Sequence, residues 1–251
     1  MVNKYRFTRK NPKTKKIENT GYMEIRNAAS GPELYIYGDI VSSSWDAWSV
    51  EDVCPQDIAD FMNQIDQNAD LTVYINSGGG DVFAGIAIHS ILSRHTGHIK
   101  GVVDGLAASI ASVILMACDE IVMSTGAQIM IHKPSVFAYG NADDLTALIT
   151  ELDKCQQSIT DIYMQHVKEG VSESDIAEKI NAETWMSAEE AQEVFDIEID
   201  DRPAMAACVS WMMNSWKNAP KSIRTERPED VEAREAQEEA DLIAEMELMG
   251  I

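Results

Sequence analysis

The sequence predicts an α/β fold, a mostly parallel sheet layered with helices, and three observations lead there. Short runs rich in β-branched and aromatic residues alternate with runs whose apolar residues recur at helical spacing. Glycine-containing turns stand at the joints. The stretches between strands are long enough for the crossover connections that parallel strands require. At 251 residues, 45% hydrophobic and 25% charged, the chain suits one packed unit with appendages. The divisions fall at a basic N-terminal arm over 1–30, a main domain over 31–215, and an acidic, partly helical tail over 216–251.

Glu33-Leu-Tyr-Ile-Tyr-Gly38 opens the alternation as a strand, and Pro55 to Ile65 follows as a helix with Ile58, Phe61, Met62 and Ile65 on one face. Leu71 to Ile75 reads as the next strand, Gly78-Gly79-Gly80 as a turn, and Phe83, Ile86, Ala87 and Ile91 as the apolar positions of a second helix. A strand at Ile99–Val103, a turn at Asp104-Gly105 and an apolar helix from about Ala108 to Cys118 form the third unit. Strands at Glu120–Met123 and Gln128–Ile131 come next. A long helix from about Asn141 to Lys168 carries Leu145, Leu148, Ile149, Leu152, Ile159, Ile162 and Tyr163 on its stripe. A helix of that length packs on something outside its own layer. Ser172-x-x-Asp175 and Ser187-x-x-Glu190 have the form of helix-start caps. In the tail, Leu242, Met246 and Met249 have helical spacing, which suits either a solvated helix or one docked in a groove.

A net charge of −22 weighs against a nucleic-acid partner, because affinity for phosphate backbones comes from clustered Lys and Arg. The arm is the exception: Lys4, Arg6, Arg9, Lys10, Lys13, Lys15 and Lys16 stand there without an acid among them, and it is read as a solvated terminus. Cys54, Cys118, Cys155 and Cys208 are widely spaced and form no CxxC pair, so neither a zinc site nor a disulfide framework is expected. No run reaches the roughly 18 apolar residues of a membrane span, and no secretory leader is recognised. A cytoplasmic location is the expectation.

Ser109 lies in Gly105-Leu-Ala-Ala-Ser-Ile-Ala-Ser112, where a strand feeds an apolar helix. That place exposes a hydroxyl beside helix N-terminal N–H groups able to stabilise an oxyanion, although an isolated serine there is more often a cap or a packing residue. His132 ends a strand and precedes Lys133-Pro134, at the kind of strand end where α/β active sites collect. A lone histidine at a strand end is more often structural. His89, His95, His98 and His166 lack a comparable partner. Gly78-Gly79-Gly80 matches neither GxGxxG nor the Walker pattern. It suits half of an oxyanion hole or a tight turn.

Four segments in order decide between these readings: Tyr74-Ile-Asn-Ser-Gly-Gly-Gly-Asp-Val-Phe-Ala-Gly-Ile-Ala-Ile88, Gly105-Leu-Ala-Ala-Ser-Ile-Ala111, Met130-Ile-His-Lys-Pro134 and Trp185-Met-Ser-Ala-Glu-Glu-Ala191. Together they resemble the ClpP family of serine peptidases, over about Leu34 to Asp200. The resemblance implies the ClpP/crotonase-like fold and a peptidase domain over 31–215. It also implies Ser109 as nucleophile, His132 as general acid/base and the N–H groups of Gly80 and Ile110 as the oxyanion hole. No metal or organic cofactor is implied. Where the housekeeping members have an Asp two residues before the aromatic, this chain has Glu183, which is taken as the orienting acid, with Asp161 and Asp175 as lesser candidates. The resemblance further implies homo-oligomeric rings, typically stacked heptamers, with the long helix at the contact between rings.

The region before Tyr35 is unlike the pore-lining segment of housekeeping members, and the acidic tail is an addition, which together weigh against dependence on a Clp ATPase. Tyr37-Gly-Asp39, Asn76 to Gly85 and Ala182-Glu-Thr-Trp185 look most like the ClpP-related head maturation proteases of phages and prophages. The implied substrate there is a capsid or scaffold protein. The alternative is a cellular ClpP subunit serving an ATP-dependent unfoldase. More remote readings are a crotonase-like acyl-CoA enzyme, in which Ser109 would be indifferent, and an inactive ring scaffold.

Overall fold

The structure is a computed structural model, and it describes residues 2–10, 17–26, 31–47, 52–203 and 216–219. In the first two of these stretches, β1 (Val2–Lys10) and β2 (Ile17–Arg26) pair antiparallel from Val2↔Arg26 to Lys10↔Ile17, with an irregularity at Phe7/Thr8. Much of the backbone of the arm over 1–30 is thus engaged in a strand pair, which the sequence reading did not anticipate.

Leu34 and Ile36 are fully buried while Tyr35 and Tyr37 are half-buried, the two-residue period that makes β3 (Glu33–Ile40) a strand with one face on the core. Pro55, whose fixed φ suits a first helical turn, starts α1 (Pro55–Met62). Its Ile58, Phe61 and Met62 are all buried. β4 (Leu71–Gly80) leads to α2 (Val82–Leu92), where Asp81 caps the helix by accepting from Ala84 N at 2.7 Å. β5 (Ile99–Ala108), α3 (Ile110–Leu115), β6 (Glu120–Thr125) and β7 (Gln128–Ile131) complete the central run. α4 (Ala142–Tyr163), α5 (Glu173–Ala182), β8 (Thr184–Ser187), α6 (Ala188–Val194) and β9 (Glu198–Pro203) follow.

The main sheet has seven strands, with β3, β4, β5, β6 and β9 side by side in that order and parallel throughout. A mostly parallel α/β sheet is thus what the alternation of elements predicted. β5 changes partner along its length: Lys100 to Val103 pair with β6, and Leu106 to Ala108 pair with β7. β8 lies antiparallel against β7. The fork falls at Asp104-Gly105, where a turn was expected. The strand continues through it, and the expected helix from Ala108 is shorter and begins at Ile110. Gly78 to Gly80 likewise extend β4 instead of closing a turn.

Ile58, Phe61, Ile88, Leu92, Ile110 and Ile114 carry α1, α2 and α3 into one core with the sheet residues Ile36, Val73, Ile75 and Val103. A fully buried side chain of this size contributes about 1.5–3 kcal/mol relative to exposure. The caps read at Ser172 and Ser187 form, each hydroxyl accepting from the backbone N–H three residues on, Asp175 and Glu190. α4 starts at its cap Asn141, as expected, and ends before Lys168. Only its inner end, at Ile159, Thr160 and Tyr163, is buried, while Leu145 and Ile149 are exposed.

Trp216 and Ala219, at the start of the stretch read as tail, pack against Leu106, Ala108 and Met130. Four residues of that stretch therefore belong with the main domain. Leu242, Met246, Met249 and Cys208 lie outside the described residues. Among the described residues no helix is long and apolar enough to cross a membrane.

Candidate active site

Ser109 stands between the last residue of β5 and the first of α3, with φ 55° and ψ −128°. A positive φ costs a non-glycine residue about 1–3 kcal/mol and persists only where the surroundings over-determine it. Here they do. The Ser109 N–H donates to Met130 O at 2.8 Å, tying the turn to β7. Its carbonyl accepts from Ser112 N at 3.0 Å and from Ser112 Oγ at 2.6 Å. Ser112 is fully buried, and its hydroxyl also meets Tyr163 Oη at 2.7 Å.

Gly79 presses on this turn from β4. A Cβ on it would lie 2.6 Å from Ala108 O, 2.8 Å from Ser109 Cβ and 3.2 Å from Ile110 N, and its φ is +94°. Gly80, with φ +150°, lies as closely against Ile40 of β3. Glycine is thus required by contact at both positions, and Gly79 is the one that abuts the serine. Gly80 and Ile110, the expected oxyanion donors, stand at the end of β4 and the start of α3.

His132 leaves β7 one residue beyond its last pair. Its Nε2 lies 2.7 Å from Ser109 Oγ, a hydrogen bond with the reach that proton transfer from the hydroxyl requires. Burial pushes the imidazole pKa below its ordinary 6.5, and the Glu183 carboxylate works in the opposite direction. Neutral imidazole, the form able to take a proton, is favoured near neutral pH.

Glu183 reaches this place through strand register. β7 and β8 pair antiparallel up to Ile131↔Thr184, so the next residue outward on one strand is His132 and on the other Glu183. Glu183 is also the C-cap of α5, in left-handed conformation at φ 52°. Its carboxylate accepts from Lys217 N at 3.0 Å and Asn218 N at 2.6 Å. The two lesser acids are engaged elsewhere. Asp175 accepts from Ser172 N at 2.8 Å and Ser172 Oγ at 2.7 Å in the cap of α5, and Asp161 accepts from Gln157 Nε2 at 2.9 Å on exposed α4. Of the three acids, Glu183 is the one whose charge bears on His132.

Trp216 closes one side. It is 4% exposed, its ring lies 6.1 Å edge-on from His132, and 5.4 Å from Trp185. Sequence reasoning read Gly79 only as part of the glycine run and did not single out Ser112, Trp216 or Asn218. The serine and the glycine carried a local signal, being next to the motifs; the tryptophan and asparagine carried none.

A parallel sheet that sets a hydroxyl against an imidazole at the carboxyl ends of its strands has the layout that α/β hydrolytic enzymes use. The chain belongs to the Clp protease family, whose model matches residues 43–194, more than half of the 251. It is 31% identical over 135 residues to the ATP-dependent Clp protease proteolytic subunit of Bacteroides fragilis, across 53% of this chain and 64% of that protein. The corresponding subunit of Bacteroides thetaiotaomicron is 32% identical over 139 residues, across 53% and 60%. The ATP-dependent Clp protease proteolytic subunit 1 of Chlamydia abortus is 37% identical over 123 residues, across 47% and 63%. The matches span less than two thirds of the length of these curated relatives.

Proposed function

We propose that this protein is a serine endopeptidase of the Clp proteolytic-subunit type. The observation that carries the reading is the 2.7 Å contact between Ser109 Oγ and His132 Nε2, made on a strained turn at the end of a parallel strand. His132 takes the hydroxyl proton as Ser109 Oγ bonds to a peptide carbonyl carbon, and the carbonyl π electrons move to oxygen. The N–H groups of Gly80 and Ile110 hold that oxyanion. As the tetrahedral species collapses, the C–N bond breaks and His132 returns the proton to the leaving amine. Water then repeats the cycle on the ester, with His132 as base, releasing the acid and restoring Ser109. Glu183 orients the imidazole and stabilises its charged form.

Two settings for this chemistry were expected, head maturation on capsid or scaffold protein and service to an ATP-dependent unfoldase. The relatives' names favour the second, and head maturation draws no support from them. The exposed Leu145 and Ile149 of α4, beside Leu148 and Leu152, support ring assembly through a second copy of this chain.

Purified wild type is expected to hydrolyse a fluorogenic peptide and to react with a fluorophosphonate, and Ser109→Ala to do neither. Labelling that survives the substitution would remove Ser109 as nucleophile. Degradation of an unfolded protein that rises on adding a Clp ATPase with ATP supports the unfoldase setting; equal rates without it count against that setting. Sedimentation of an active monomer would dispose of the ring.

A further inference from the structure

Residues 216–219 meet the site at its acid. Glu183 is a half-exposed glutamate at a helix end, held in a backbone conformation that a non-glycine residue keeps only under constraint. The constraint comes from a segment far along the chain. Lys217 N donates to one carboxylate oxygen at 3.0 Å and Asn218 N to the other at 2.6 Å. The Asn218 side chain closes the grip, its Nδ2 donating to Ala182 O at 2.9 Å and to Glu183 O at 3.2 Å. Trp216 anchors the segment, buried beside Trp185 and Met130.

We propose that Trp216–Ala219 is a clamp for the orienting acid, with Asn218 as a positioning residue that sets Glu183 against His132. The proposal rests on the Ser-His-Glu reading above. It places part of the working site outside the family-matched span of 43–194.

Three physical points support it. Two successive backbone N–H groups form an anion-binding concavity, and both point at one carboxylate. An ionised carboxylate offers about four acceptor positions, so two N–H bonds leave room for the imidazole N–H. A glutamate also has one more rotatable bond than the aspartate implied by resemblance at this place, and N–H donors on both oxygens remove that added freedom. Glu183 is the charged group acting on His132; Lys133 and Lys217 beside it are exposed.

The test compares full-length wild type, Asn218→Ala, Glu183→Gln and the double variant in pH profiles of kcat/KM on a small peptide. Circular dichroism and sedimentation serve as controls for fold and assembly. Asn218→Ala is expected to lower kcat about tenfold with KM little changed, and to move the acid limb to lower pH as the pull of Glu183 on His132 weakens. Asn218→Asp, of the same shape but without the donors, is expected to be worse than Ala, and Asn218→Gln to recover part of the rate. In the Glu183→Gln background the asparagine change is expected to add nothing. A crippled Glu183→Gln beside an unaffected Asn218→Ala overturns the clamp and leaves the acid standing. An undiminished effect of Asn218→Ala in the Glu183→Gln background also overturns it, since Asn218 would then act elsewhere. Full activity in Glu183→Gln removes the acid itself, and the clamp with it.

Discussion

Ser109 and Glu183 both carry a positive φ, 55° and 52°, yet the molecule supports them in opposite ways. Ser109 lies between Ala108 and Ile110, 0% and 2% exposed, with β7 gripping its N–H, Ser112 its carbonyl and Gly79 its Cβ. Glu183 follows the exposed Ala182, at a helix end, and is held by main-chain donors from more than thirty residues away. The strain on Ser109 is carried by the core itself. The strain on Glu183 is carried by four hydrogen bonds from a distant segment anchored by the buried Trp216.

That contrast can be broken first at the level of rate. Ser109→Ala is expected to cost about 10⁴–10⁶-fold in kcat, and Glu183→Gln about 10²–10⁴-fold, measured on one peptide substrate. Equal losses would mean that the two residues act as a unit whatever their support. Next comes Gly79→Ala. It asks a Cβ to fit 2.6 Å from a backbone oxygen at φ +94°, so a stability loss of about 1–3 kcal/mol and a collapse of activity are expected in denaturant titrations and peptide assays. Wild-type stability in this variant would show the Ser109 turn to be softer than its contacts imply.

The smallest expected effect is in pH. With His132 proposed as the base, kcat/KM is expected to fall as pH drops through the histidine's pKa, which burial pushes below 6.5. Loss of the Glu183 charge removes the one opposing influence and moves the limb of the residual activity lower still. A limb that moves upward in Glu183→Gln would contradict the assignment of these two influences.

What was legible in the sequence follows the same division. The alternation of elements, the caps at Ser172 and Ser187, and the serine and histidine at strand ends are local patterns, and local patterns survive into the fold. Helix α3 was expected too early because Ala107-Ala108 suits a helix as well as a buried strand, and pairing with β7 decided for the strand. β8 has four residues, too few to show alternation, and β9 is charged because it lies at the sheet edge. Glu183 was found through a motif. The donors that hold it were not, since contacts across 34 and 35 residues leave no spacing to read.

The Ser112 hydroxyl has a wider consequence. Through Tyr163 it fastens the inner end of α4 to the carbonyl of Ser109. The helix has 22 residues, roughly 33 Å at 1.5 Å per residue, and its outer turns are exposed. Mechanically this is a lever whose short arm ends at Ser109. Whatever grips the long arm has a three-atom linkage, Oη to Oγ to carbonyl oxygen, along which a tilt can be felt at the turn that holds Ser109.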